Sequence, residues 1–364
     1  MTNIDLRLAF RRAHHIRRPE EEGPATDVRT SSSTQNYRYP TITHTQYIGL
    51  MEFHHKTGLS DMKLLIIGGT GFFGRTIVCR AIDADHDVLV YHRGSSEPDR
   101  DPKLPHLHGS TLEIGQHVQS IKSFAPDGVI DTTLFMAKTI DTVIDAIDGL
   151  CERYILISSG DVYRAYGVLH RTEPGPLQAM PVDETAELRT QRGFDSVATE
   201  FEDNLYAERA DLSQDRVPTT IIRAPAMFGP WDKQERVLGP MKRLKDSGAK
   251  LVLAEEAAQY RHTYGYVDNV ADALLLCAAD RRDGNFIYNA GYPGGLSIQE
   301  RFVLVADAMG WEGEITSSRD LKSEMNIDFR QELVMNTSRL REDLGYKEAI
   351  PIEEAMRRSV EWEL

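Results

Sequence analysis

Two short stretches hold residues whose types and spacing could do chemistry. The first is GGTGFFG at 68–74, directly after the apolar run KLLII at 63–67. Its glycines fall in two overlapping registers: Gly69, Gly71 and Gly74 fit G-x-G-x-x-G, and Gly68, Gly71 and Gly74 fit G-x-x-G-x-x-G. Glycines so placed allow a tight turn and a close approach of backbone amides to a pyrophosphate, and the last lets a helix pack on the preceding strand. The amides opening that helix then face the anion. Gly68, Gly69, Thr70, Gly71, Phe72, Phe73 and Gly74 are thus the expected phosphate loop of a dinucleotide site, because the motif follows a strand and opens a helix. The second stretch is YHRG at 91–94. An acidic residue about 20 positions beyond the loop would hold a ribose 2′-hydroxyl, as in NAD sites. Arg93 stands in that region instead, and its charge suits a 2′-phosphate, so NADP is preferred over NAD.

The elements that must position these residues follow from the apolar runs. KLLIIG (63–68), DVLVYH (87–92), DGVIDTT (127–133), RYILISS (153–159), TTIIRAPAMFGP (219–230) and GNFIYNAG (284–291) read as strands. Helical stretches such as GRTIVCRAID and TVIDAIDGL fall between them. Continuous apolar strands alternating with helices predict an α/β fold with a doubly wound parallel sheet of Rossmann type, covered on both faces. Such a sheet binds its ligand at the carboxyl ends of its strands. The nucleotide-binding domain is expected over 62–225 plus about 260–290, with a smaller C-terminal α/β substrate lobe from about 226–259 and 291–364. Residues 1–61 include RRAHHIRRPEEEGPATD and SSSTQNYRYPTITHTQ, without sustained period, and are expected to be a disordered N-terminal extension.

The 364 residues are ample for a proper core, and 41% apolar with 27% charged content is ordinary for a soluble globular chain. A net charge of −14 argues against nucleic acid and against an anionic membrane surface as partners. The three cysteines have no C-x-x-C spacing, so no disulfide framework or cysteine metal site is expected, and a cytoplasmic location is natural. No apolar run approaches the roughly 18–20 residues that span a bilayer. ALLLCAA (273–279) fits a buried helix face.

From residue 62 onward the chain resembles the extended short-chain dehydrogenases/reductases of the NAD-dependent epimerase/dehydratase kind. GGTGFFG, YILISSGDVY (154–163), IIRAPAMFGP (221–230), YGYVDNVADA (264–273) and NTSRLREDLGY (336–346) occur in that family's order and spacing. The resemblance implies a small-molecule substrate, such as a sugar nucleotide or a similar polar carbonyl or alcohol, and a homodimer through a two-helix face. It also implies a Ser or Thr at the end of the fifth strand, here Ser159, and a Tyr-x-x-x-Lys pair on the next long helix. At the matching positions this chain has Phe194 and Ala198, counted back from Glu202, and neither exchanges a proton. Phe194 and Pro225 are expected against the cofactor.

Two residues after the family's Ser/Thr, dehydratase relatives often place an acid that moves a proton, and Asp161 holds that position. If desolvation at the strand's carboxyl end raises its pKa, Asp161 can act as an acid/base; otherwise it is a solvated turn aspartate. Tyr163 and Tyr166 are further phenols nearby, Lys138 could approach the cofactor site, Arg223 is expected to order the pocket, and Trp231 to line a wall or fill core. Ala226 replaces the family's diphosphate-contacting Asn, and His262 with Arg261 stands where an Arg is common. Two functions fit: an NAD(P)-dependent epimerase, dehydratase or reductase using Ser159 and Asp161, or a catalytically silent NAD(P)-binding sensor or scaffold.

Overall fold

The computed structural model describes residues 61–94, 104–133, 137–190 and 203–364. Its strands in chain order are β1 (Lys63–Ile67), β2 (Asp87–His92), β3 (His106–His108), β4 (Gly128–Asp131), β5 (Arg153–Ser159), β6 (Thr219–Ala224), β7 (Ala226–Phe228), β8 (Lys250–Ala254), β9 (Arg261–His262), β10 (Tyr264–Tyr266), β11 (Phe286–Asn289), β12 (Leu296–Ser297) and β13 (Glu314–Ser318). Seven of them form one parallel sheet in the order β11-β6-β5-β4-β1-β2-β3. The strand order reverses between β1 and β4, and the crevice outside their carboxyl ends is the place where such sheets take ligands.

The helices used below are α1 (Phe72–Asp83), α2 (Ala137–Ile147), α3 (Asn204–Leu212), α4 (Val267–Ala278), α5 (Ile298–Met309) and α6 (Ile352–Glu363). Alternation along β5 assigns them to faces. Ser158 reaches Glu208 on α3, whereas Arg153, on the opposite face, donates to the Asp280 carbonyl just beyond α4. All twelve residues of α4 are buried, as its apolar ALLLCA run demands of a helix packed against both the sheet and its neighbour α1. Covered on both sides, the central strands are apolar throughout, and Leu64 to Ile67 have no exposed surface.

TTIIRAPAMFGP, expected as one strand, is two. Pro225 has no N–H to donate, so the ladder ends at Ala224 and the chain resumes at Ala226 beside Tyr264. Beyond this point the chain makes small two-stranded sheets, β8 with β13 and β9 with β12, flanked by helices. Helix α5 is specified locally. Ser297 Oγ accepts from the Glu300 amide at 3.0 Å, Glu300 accepts from the Ser297 amide at 2.7 Å, and Gly310 ends the helix at φ +65°. Among the described residues no helix is long and apolar enough to cross a membrane.

Candidate functional site

The glycine loop leaves β1 at the switch point and enters α1. Gly68 has φ +84°, and a Cβ there would stand 2.5 Å from both Thr132 Oγ1 and Thr133 Cγ2. Its amide donates to the Tyr91 carbonyl at 2.8 Å and its carbonyl accepts from Thr70 at 2.8 Å, which closes the turn. A Cβ on Gly69 would meet Val78 and Val90 at 2.8 Å, and one on Gly74 would lie 2.2 Å from the Gly68 carbonyl oxygen. Gly71 differs: the nearest atom to a Cβ there is 3.9 Å away. Among the described residues nothing requires Gly71 to lack a side chain, which leaves room for a reason outside the fold. An approaching phosphate is such a reason, and the amides that open α1 have no intrahelical acceptor. The loop therefore fits a dinucleotide pyrophosphate. Thr70 and Phe72 are half-buried at its mouth, while Phe73 points into the core.

Arg93 is exposed just past β2, and the following Gly94 amide donates to His92 Nδ1 at 3.2 Å. On β4, Asp131 is buried and accepts from Thr133 N and Oγ1 at 2.8 and 2.6 Å and from Tyr154 Oη at 2.9 Å. It fixes the floor next to Gly68.

Ser159 ends β5 and Asp161 follows in the turn just beyond it, on the same carboxyl edge as the glycine loop and two strands away from β1. Ser159 Oγ accepts from the Asp161 amide at 3.2 Å. The Asp161 side chain is 28% exposed, yet its carboxylate is held from several sides. Asn204 Nδ2 donates to its oxygens at 3.2 and 3.0 Å, Arg189 Nη2 stands 3.8 Å away, and Arg189 Nε donates to the Asp161 carbonyl at 2.6 Å. Arg189 is itself locked by Asp203, at 2.7 and 2.5 Å. Burial pushes the Asp161 pKa up to about 6, against the lowering effects of Arg189 and then Asn204. A carboxyl with that pKa, open on one side, can both take and return a proton at neutral pH. Arg189, Asp203 and Asn204 were not among the sequence-derived site residues. The only signal was the polar pair Asp203-Asn204 opening an otherwise ordinary helix.

Tyr163 is buried and donates to Asn289 Oδ1 at 2.6 Å while accepting from Arg223 at 3.1 Å. Burial pushes its pKa up to about 12, so this phenol is a structural post at neutral pH. Arg223 also pairs with Glu208, both almost wholly buried, and donates to the Glu184 carbonyl at 3.0 Å. It ties α3, β6 and the 184 loop together behind the site. Tyr166 packs against His170 with ring centroids 4.4 Å apart and planes inclined at 51°. Lys138 lies in the first turn of α2.

His262 shares its Nδ1 with the Thr263 carbonyl at 2.7 Å, and burial lowers its pKa to about 4. A neutral imidazole there offers no positive charge to a diphosphate. Arg261 is turned toward Glu300 at 3.1 Å and the Gly295 carbonyl at 2.8 Å. Ala226 pairs with Tyr264 in β7, and Pro225 precedes it. Trp231 packs between the Arg75 guanidinium, 5.0 Å from its ring, and Trp362 at 4.8 Å. Phe194, Ala198 and Glu202 lie outside the described residues. A cavity of about 1100 Å³ opens between Arg171, Met180, Tyr260 and Lys322, and its described lining includes neither the glycine loop nor Asp161.

Residues 64–291 match the NAD dependent epimerase/dehydratase family. The chain is 26% identical over 253 residues to the 2′-dehydrokanamycin reductase of Streptomyces kanamyceticus, covering 68% of this chain and 67% of that protein. It is 25% identical over 171 residues to a bifunctional pinoresinol-lariciresinol reductase of Linum album, covering 46% of this chain and about half (48%) of that relative's length. The crystal structure of the Bordetella bronchiseptica enzyme WbmG in complex with NAD and UDP superposes with a TM-score of 0.63 at 17% identity, over 83% of this chain and 94% of that one.

Proposed function

The chain belongs to the NAD-dependent epimerase/dehydratase family, and on that footing we propose that it is an NADP(H)-linked enzyme that exchanges hydride at an alcohol or carbonyl carbon of a polar small molecule. Sugar nucleotides are one such class. The neutral, occupied His262 and the small Ala226 favour polar substrates without a diphosphate, in keeping with the two reductases among the relatives. The observation on which the reading rests is Asp161: a half-open carboxyl with a pKa of about 6, beside Ser159, on the carboxyl edge of the sheet.

The loop 68–74 would hold the pyrophosphate, with Gly71 giving the close approach and Arg93 meeting a 2′-phosphate. Pro225 and Phe194 are proposed beside the dinucleotide, and residues 226–259 and 291–364 as the substrate lobe. When bound, the nicotinamide supplies the hydride exchange. Ser159 Oγ orients the substrate oxygen. Asp161 accepts the alcohol proton in the oxidative direction and returns it in the reductive one, the task that tyrosine performs in relatives with the Tyr-x-x-x-Lys pair.

The test is calorimetric titration with NADPH, NADP⁺, NADH and NAD⁺, followed by turnover over a panel of polar ketones and sugar nucleotides. Tighter binding of the NADP forms, at least about tenfold weakened by Arg93→Ser with NADH unaffected, supports the cofactor assignment. Turnover that survives both Ser159→Ala and Asp161→Asn would remove the catalytic one. Binding without hydride exchange toward any substrate would point to a silent nucleotide sensor instead.

A further inference from the structure

Three histidines meet at the carboxyl ends of β2 and β3, where β3 is the edge strand of the main sheet among the described residues. Parallel pairing sets His92 opposite His108, and His106 precedes His108 by two residues, so all three side chains leave the same face. One ring nitrogen from each lies within 4.8 Å of those of the other two. His92 Nε2 and His106 Nδ1 stand 2.9 Å apart. Two nitrogens sharing a tetrahedral zinc, with bonds of about 2.0–2.1 Å, stand about 3.3 Å apart, so this pair needs only a small adjustment. His92 is buried, His106 half-buried and His108 exposed, which gives the cluster a fixed inner end and an outer end open to water.

We propose that His92, His106 and His108 form a binding site for a divalent transition-metal ion of the zinc class, with solvent as the fourth ligand. Among the described residues the cluster holds three imidazoles and no carboxylate, a set that selects zinc, cobalt, nickel or copper over magnesium and calcium, whose preference is for oxygen. The Gly94 amide, donating to His92 Nδ1, orients the ring so that Nε2 faces His106. A metal on Nε2 would move the ring proton to Nδ1 and end that bond, so occupancy would alter the turn that follows Arg93.

The test is titration of the full chain with cobalt(II) alone, followed by the visible absorption of the four-coordinate ion and by calorimetry. One equivalent should bind, and His106→Ala and His108→Ala should each weaken it by at least about tenfold. His117→Ala, whose ring bonds the His108 carbonyl at 3.1 Å and lies outside the cluster, should bind cobalt as the parent does. Circular dichroism checks that the variants fold, and the exposed position of His108 makes that variant the safer one. Absence of cobalt binding by the parent overturns the site. So does binding unchanged in both variants, as would follow if the metal sat on the histidines of residues 1–60.

Discussion

Asn204 straddles Asp161 from 43 residues away, its Nδ2 3.2 and 3.0 Å from the two carboxylate oxygens. The amide stabilises the charged form, so it works against the burial that raises the Asp161 pKa. Catalysis with Asp161 as the base needs the ionised form, and in the oxidative direction kcat/KM should rise with pH through about 6. Asp161→Asn should remove that limb and lower turnover by roughly 10²–10⁴-fold while leaving NADPH affinity in place. Asn204→Ala should move the limb to higher pH, an effect that a loss of packing alone would not produce.

The glycines of the loop should separate binding from folding. Gly71→Ala has room for its methyl, and stability should change by no more than about 1 kcal/mol. Nucleotide affinity should nevertheless fall at least tenfold, read by calorimetry. Gly74→Ala would press a methyl against the Gly68 carbonyl and should cost roughly 3 kcal/mol or more, read as a lowered Tm.

Asp211 predicts a pH dependence of stability. It is fully buried, accepts from Thr219 Oγ1 at 3.2 Å, and burial pushes its pKa up to about 7. A carboxyl raised in this way favours the folded state at low pH. Its contribution is fully present below about pH 4 and is lost as pH rises through 7. Between pH 5 and 8.5 the parent should lose roughly 2–3 kcal/mol that Asp211→Asn does not, measured by urea unfolding at both pH values.

Arg223 and Glu208 form an ion pair with both side chains almost wholly out of water. Glu208→Gln strands the guanidinium and should destabilise by roughly 3–5 kcal/mol. The double variant Glu208→Gln/Arg223→Met should recover much of this loss in chemical denaturation, since no uncompensated charge remains. Equal losses in single and double variants would mean that packing around Arg223, rather than charge, is what matters.

Legibility in the sequence followed the range of the signal. The glycine loop is local, its demands being turn, close approach and packing within seven residues, and it stands where the motif placed it. The main strands were legible because burial on both faces makes them continuous apolar runs. The break at Pro225 was written in the proline itself, but the apolar residues on either side masked it. Ser159 and Asp161 were reached through resemblance. Their supports were not, because Arg189 and Asn204 meet Asp161 across 28 and 43 residues and no periodicity records such a contact. The histidine cluster has a partial signal in HLH at 106–108, since alternate residues of a strand share a face, but a strand of three residues leaves no period to read.

The main sheet draws its last strand, β11, from residues 286–289, and α4, which closes one face, from 267–278. Arg153 finds its partner at the Asp280 carbonyl, just beyond α4. During synthesis β4, β5 and β6 leave the ribosome before α4, and the part of their face that α4 covers waits while more than forty further residues are added. The main sheet is therefore complete only once residue 289 has been added. A nascent chain stalled before residue 267 would expose that face to chaperones, a vulnerability set by the path of the chain and not by the strength of any single contact.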